Sequence, residues 1–205
     1  MVDKSKESAK IYGKIASLYY ENFNQPSEHL DQFVKLLPPK ARVLDVGCGP
    51  GVDSAYLYSK GCSVIGVDLS KEMIKIAQNK FKGIDFRVGD MRKLEFSQGS
   101  FDGIIAAYSL FHLRTAEIKE VVSRSYSFLK KGGMLYVALQ SGASQEVEVV
   151  QPLDLSERIF MNILSKKEVE MLLKNAGFSI VSEFKRPSKS TSEHPYTKLF
   201  ILVRK

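Results

Sequence analysis

Three acids stand at or near the ends of apolar runs in this 205-residue chain, and their spacing suggests a shared site. Asp45 lies in "VLDVGCGPGVDS", just ahead of Gly47, Gly49 and Gly51; Asp68 closes "VIGVD", and Asp90 closes "FRVGD". Glycines at alternate positions remove the side chains that would hold a ligand away from the backbone. A glycine turn leading from a strand into a helix presents N–H groups to that ligand. An acid after the second strand can accept two hydrogen bonds from the hydroxyls of a ribose. Asp90 beside Met91 suits an adenine, whose exocyclic amine donates and whose face needs packing. A strand-terminal acid also caps a following helix, so none of the three is diagnostic alone. Together they converge on one rim of an open sheet, at its topological switch.

Positioning these residues requires alternating strands and helices. Short apolar runs at 42–46, 63–67, 84–88, 101–107 and 134–139 predict strands buried on both faces. "SKEMIKIAQNKF" places Met73, Ile74, Ala77 and Phe81 on one helical face behind the N-cap Ser70. "TAEIKEVVSRSYSFLKKGG" predicts a helix with Ile118, Val121, Val122, Ser125 and Leu129 inward, stopped by Gly132. "SKKEVEMLLKNAGF" carries a capping box, Ser165 with Glu168, and ends at Gly177. Repeated strand–helix–strand units predict a parallel sheet covered on both sides. The last two runs, "FSIVSEFKR" and "YTKLFILVRK", are too close for a crossover helix and predict an antiparallel hairpin. Residues 142–162 show weak periodicity and are expected to form a substrate-facing insertion.

Composition bounds the function. The chain is 44% hydrophobic and 26% charged, as expected of one soluble domain. No apolar run approaches the ~20 residues of a membrane span. The polar start "MVDKSKESAK" predicts no secretion signal, and two cysteines without metal spacing fit a reducing cytoplasm. The net charge of +7 is concentrated late: from Lys185 onward, six Lys or Arg face a single Glu. Such a segment can steer an acidic partner such as RNA, or be solvated surface. No aromatic-basic nucleic-acid module accompanies it.

With these motifs assembled, "VLDVGCGPG", "GVDLS", "VGDM" and "FDGIIAAYSLFHL" resemble the first four motifs of the class I S-adenosylmethionine-dependent methyltransferases. The resemblance covers nearly the whole chain. The early segment "YGKIASLYY" is similar to the "YDKIAxxYD" of small single-domain members, keeping Tyr12 and Tyr19 while Gly13 and Tyr20 replace the acids. The resemblance implies a Rossmann-like three-layer α/β/α sandwich with a mostly parallel seven-stranded sheet and a terminal antiparallel hairpin. It implies one domain over 1–205: a helical lid at 1–40, a cofactor-binding core at 41–140, and at 141–205 the insertion, a helix and the hairpin. It further implies S-adenosylmethionine as cofactor. Gly47, Gly49 and Gly51 would meet its methionine and ribose, Asp45 would orient the loop, and Cys48 would contribute backbone. Asp68 would hold the ribose diol with Leu69 and Met73 beside the adenine. Asp90 would meet the adenine amine and Met91 its ring. Ala107 and Tyr108 would close the methionine end, and Tyr19 would reach over from the lid.

Methyl transfer from a sulfonium depends mainly on alignment and water exclusion. For a hydroxyl acceptor, His112 in "SLFHLR" is the candidate general base, with packing in an apolar stretch as its other role. No "NPPY" or "DPPY" run and no Pro-Cys pair follows the fourth strand, which leaves a small-molecule acceptor in an enclosed, largely apolar pocket. An RNA methyltransferase or RNA-binding protein is the alternative. A nicotinamide-dependent oxidoreductase would need the glycine spacing G-x-G-x-x-G instead of G-x-G-x-G. A monomer or homodimer is expected.

Overall fold

The computed structural model describes residues 2–205. Its main sheet contains β1 (Arg42–Val46), β2 (Ser63–Asp68), β3 (Asp85–Val88), β4 (Phe101–Ala107), β5 (Leu129–Ser141), β8 (Ser179–Arg186) and β9 (Thr197–Arg204). The strand order is β3-β2-β1-β4-β5-β9-β8, with β1 to β5 parallel and β9 antiparallel to both neighbours. The expected seven-stranded Rossmann-like sandwich is therefore the fold. The sequence runs outward from β1 through β2 to β3 and then returns to β4 on the other side of β1. That reversal opens a crevice at the carboxyl ends of β1 and β4.

The apolar runs behave as strands covered on both faces. Leu44, Ile104, Val137 and Ile201 pack with Val121 and Val122 of α6 (Thr115–Phe128) and Leu173 of α7 (Lys166–Asn175). Val43, Ile105, Tyr136 and Phe200 face the other way, onto Phe33 of α3 (Leu30–Lys35) and Leu57 of α4 (Val52–Ser59). α5 (Lys71–Lys80) starts at the expected cap, where the Met73 N–H donates to Ser70 Oγ at 3.3 Å. Phe81 is its C-cap residue. The amino-terminal segment holds α1 (Lys4–Lys14) and α2 (Ala16–Asn22).

One local expectation needs correction. The helix expected to run to Gly132 ends at Phe128, and Leu129 instead pairs with Phe101 of β4. Both side chains are fully buried, so strand pairing and burial outweigh the helical spacing there. Gly132, at φ 77°, lies in the early, irregular part of β5. Residues 142–162 form a hairpin, β6 (Gln145–Gln151) with β7 (Asp154–Ile163), as a separate two-stranded sheet. Ile159, Met161 and Ile163 of β7 are buried against the main core.

α1 is tied to the body by charge. Arg92 pairs with Asp3 at 2.8 Å, Asp90 at 2.6 Å and Glu117 at 2.5 Å, and Lys4 pairs with Glu148 at 2.7 Å. The Arg92 cluster is mostly shielded from water, so it holds the helix more firmly than an exposed pair would.

Candidate active site

The loop after β1 is held from behind. The Gly47 and Cys48 N–H groups donate to the Val67 carbonyl at 2.7 and 3.0 Å, drawing the turn against β2. Gly47 has φ 76°, and a Cβ there would lie 2.3 Å from Ser109 Cβ. Gly49 has φ 52° and nothing within 4 Å of where its Cβ would stand, because it faces a cavity of about 360 Å³. Gly51 differs. It stays out of the cavity lining, and a Cβ on it would strike Phe86 at 2.7 Å and Ala77 at 2.9 Å. Its role is close packing between α5 and β3, which the shared spacing with Gly47 and Gly49 conceals.

Asp68 sits between loop and helix. Its Oδ2 accepts from Gly49 N–H at 2.8 Å and its Oδ1 from Ser70 N–H at 2.8 Å. One lone pair on each oxygen satisfies the backbone and capacity remains toward the cavity. Asp45 is 1% exposed and accepts from Ser54 Oγ at 2.6 Å. A third acid, Asp53 in the first turn of α4, was not legible as a site residue. Ser27 donates to it twice, from N at 2.7 Å and Oγ at 2.6 Å, which pulls the segment after α2 over the loop. Burial pushes all three carboxyls above the ordinary range, and none forms an ion pair among the described residues. Burial also raises the Cys48 thiol, leaving a small inert filler.

Tyr19, Leu69, Met73, Met91, Ala107 and Tyr108 line the same cavity, with Asp90 at its edge. Asp90 is engaged by Arg92 through both oxygens, at 2.6 to 3.2 Å, and by the Arg92 N–H at 3.0 Å. Tyr108 has φ 54°, an uncommon conformation for an aromatic residue, and it turns the chain out of β4 at the cavity wall. On α1, Ser8 is 2% exposed, lines the cavity, and its Oγ has no hydrogen-bond partner among the described residues.

The cavity is largely apolar, and its far end adds a group of polar side chains. His112, Gln140, Gln151, Arg186, His194 and Lys198 all line it. Gln151 comes from the β6–β7 hairpin, while Tyr12, Tyr19 and Phe23 come from the amino-terminal segment. Tyr20 turns away toward Phe81, with ring centroids 6.4 Å apart. The ring nitrogens of His112 are both occupied: Nδ1 lies 3.0 Å from the Phe160 carbonyl and Nε2 lies 3.1 Å from the Tyr12 hydroxyl. A carbonyl only accepts, so Nδ1 carries the proton and Nε2 accepts from Tyr12. Burial lowers the pKa of His112 to about 4, and it is neutral at pH 7.

The late basic segment is largely absorbed by the fold. Lys198 is 1% exposed, Arg186 pairs with Glu193 at 2.8 Å, and Lys205 donates to the Tyr126 and Leu129 carbonyls. Among the described residues there is no group of three or more His, Cys, Asp or Glu placed to hold a metal, and no helix is long and apolar enough to cross a membrane.

A charge test supports the implied cofactor. S-adenosylmethionine carries a sulfonium, an ammonium and a carboxylate, and the buried Asp45 with the half-buried Asp53 and Asp68, none paired with a cation among the described residues, suits the two positive groups.

Residues 43–133 match the methyltransferase-domain family. YqeM of Bacillus subtilis, which carries the name of a methyltransferase, is 36% identical over 138 residues, covering 64% of this chain and 56% of that protein. A ubiquinone biosynthesis O-methyltransferase of Xanthomonas axonopodis is 29% identical over 159 residues, covering 71% of this chain and 66% of that protein. The chain spans about half the length of the first curated relatives it matches. Among solved structures, an S-adenosylmethionine-dependent methyltransferase of Methanosarcina mazei superposes with a TM-score of 0.76 at 20% identity, over 88% of this chain and 98% of that one.

Proposed function

We propose that this chain is a class I S-adenosylmethionine-dependent methyltransferase that methylates a small organic acceptor in the cavity at the β1/β4 switch. When bound, S-adenosylmethionine supplies an electrophilic methyl group on a positively charged sulfur whose departure as a neutral thioether needs no acid, so the co-product is S-adenosylhomocysteine. The observation that carries the assignment is the trio of buried Asp45 and half-buried Asp53 and Asp68, unpaired with any cation among the described residues and gathered around a glycine loop open to the cavity.

The chain's own residues then divide the work. Gly47 and Gly49 keep the loop backbone accessible, and Asp68 takes the ribose hydroxyls with the lone pairs that Gly49 and Ser70 leave free. Leu69, Met73 and Met91 supply apolar contacts for the adenine, and the unpartnered Ser8 hydroxyl is the polar group that the lid adds. Asp90, held by Arg92, fixes that wall and the start of α1. Ala107 and Tyr108 bound the methionine end, and Tyr12, Tyr19 and Phe23 exclude water from above. His112 offers a neutral Nε2 to an acceptor proton only when the Tyr12 hydroxyl gives way.

The name of the Xanthomonas relative, an O-methyltransferase of ubiquinone biosynthesis, accords with a small acceptor. The inward-facing Arg186 and Lys198 also favour a small molecule over a nucleic-acid track. The test is incubation with methyl-labelled S-adenosylmethionine and two host fractions, metabolites and RNA. Label is expected in metabolites; label in RNA alone would overturn the small-molecule reading. Calorimetric binding of NAD(H) without S-adenosylmethionine would overturn the cofactor.

A further inference from the structure

The cavity ends against a charge cluster that does not balance. Three cations, Arg186, Lys189 and Lys198, stand with two carboxylates, Glu28 and Glu193. Arg186 Nε lies 2.9 Å from Glu28, and its Nη atoms donate to both Glu193 oxygens at 2.8 and 2.9 Å. Lys189 pairs with Glu28 at the surface. Lys198 is the member left over. Its nearest carboxylate oxygen, on Glu193, is 3.7 Å away, beyond hydrogen-bond range, and already accepts from Arg186 and the Lys189 N–H.

Lys198 is nonetheless 1% exposed, near the start of β9, the strand beside the edge strand β8. Its ammonium donates to Gln140 Oε1 at 2.7 Å and to the His194 carbonyl at 2.6 Å, both neutral acceptors. An ammonium has three N–H bonds, so one remains. Burying a cation whose only carboxylate neighbour among the described residues stands 3.7 Å away and is already engaged is costly, and here the cation also lines the cavity wall. The register pairs Lys198 with Gln140, two residues beyond Ala138, which pairs with Ala107. Lys198 is thus two strands away from the wall that closes the methionine end. The neighbouring imidazoles bring no charge: burial lowers the pKa of both His112 and His194 to about 4.

We infer that the methyl acceptor is a carboxylate-bearing monoanion whose carboxylate seats on the Lys198 ammonium, away from the atom that receives the methyl group. The one N–H that Gln140 and the His194 carbonyl leave unfilled on Lys198 matches a single carboxylate on the ligand. The burial that leaves Lys198 short of a partner also lowers its pKa to about 8, which an incoming carboxylate would reverse. This inference rests on the methyltransferase reading and deepens it by specifying the acceptor class.

The test uses the full chain saturated with S-adenosylhomocysteine, titrated at pH 7 in a calorimeter with benzoate and with its neutral isostere benzamide. Benzoate is expected to bind at least about tenfold more tightly, the effect of one charge-assisted hydrogen bond in a buried site. Lys198→Met is expected to bind S-adenosylhomocysteine as before while losing the preference for benzoate. Glu193→Gln, which removes the nearest partial counter-charge, is expected to increase that preference and gives a second reading should Lys198→Met fail to fold. Equal binding of the two probes to the wild type, or a preference that survives Lys198→Met, would overturn the inference. Failure of the wild type to bind S-adenosylhomocysteine, with benzoate still preferred, would count against the methyltransferase reading and leave the anion site standing.

Discussion

The Tyr12 hydroxyl donates to Nε2 of His112 across 3.1 Å, joining α1 to the turn after β4. The rings also meet edge-on, with centroids 5.2 Å apart. One contact therefore both fastens α1 beside the cavity and occupies the only lone pair His112 could offer as a base. With Nδ1 committed to the Phe160 carbonyl, His112 is better placed to position α1 than to take a proton.

Turnover should report this directly. His112→Ala is expected to retain activity within about tenfold at saturating acceptor, with the loss appearing in KM. A turnover rate lowered by about a hundredfold or more, the effect typical of a missing general base, would place His112 in the chemistry instead.

Acid stability follows from the same burial. His112 and His194 both titrate near 4 in the folded chain and near 6.5 when unfolded. Between those values the unfolded chain binds more protons, so stability is full above pH 6.5 and falls as pH drops toward 4. Urea midpoints across that window should decline, and less steeply in His112→Gln than in the wild type.

Asp68→Ala removes a charged acceptor for the ribose as well as the anchor of Gly49 and Ser70. Cofactor binding is expected to weaken by about 1–3 kcal/mol in a chain that still folds, measured by calorimetry. Unchanged affinity would remove Asp68 from the site.

The two glycines should separate function from packing. Gly49→Val points into open cavity, so it should abolish cofactor binding at a stability cost of about 1–2 kcal/mol for its left-handed φ. Gly51→Ala would thrust a methyl into Phe86 and Ala77, adding about 1–3 kcal/mol of overpacking to a similar backbone cost. Thermal unfolding should therefore fall further for Gly51→Ala. The reverse order would contradict the packing role.

What the sequence by itself determined were the features set by neighbours in the chain. Apolar runs with glycine stops specify buried strands, Ser70 and Ser165 cap their helices, and Asp45 precedes the loop because strand and turn are contiguous. The limits of that reading are also local: at Leu129 the helical spacing persists, yet pairing with Phe101 turns the backbone into a strand. The tertiary structure alone decided how the site is completed. The partners of His112 lie 48 and 100 residues away, Ser27 meets Asp53 across 26, and Gln140 meets Lys198 across 58. Spacing carries no signal over such separations, because side-chain direction depends on strand order and register. Lys198 shows the reason most plainly. In the chain it is one of six late basic residues, and only its place on β9, between β5 and β8, buries its charge against a cavity instead of leaving it in water.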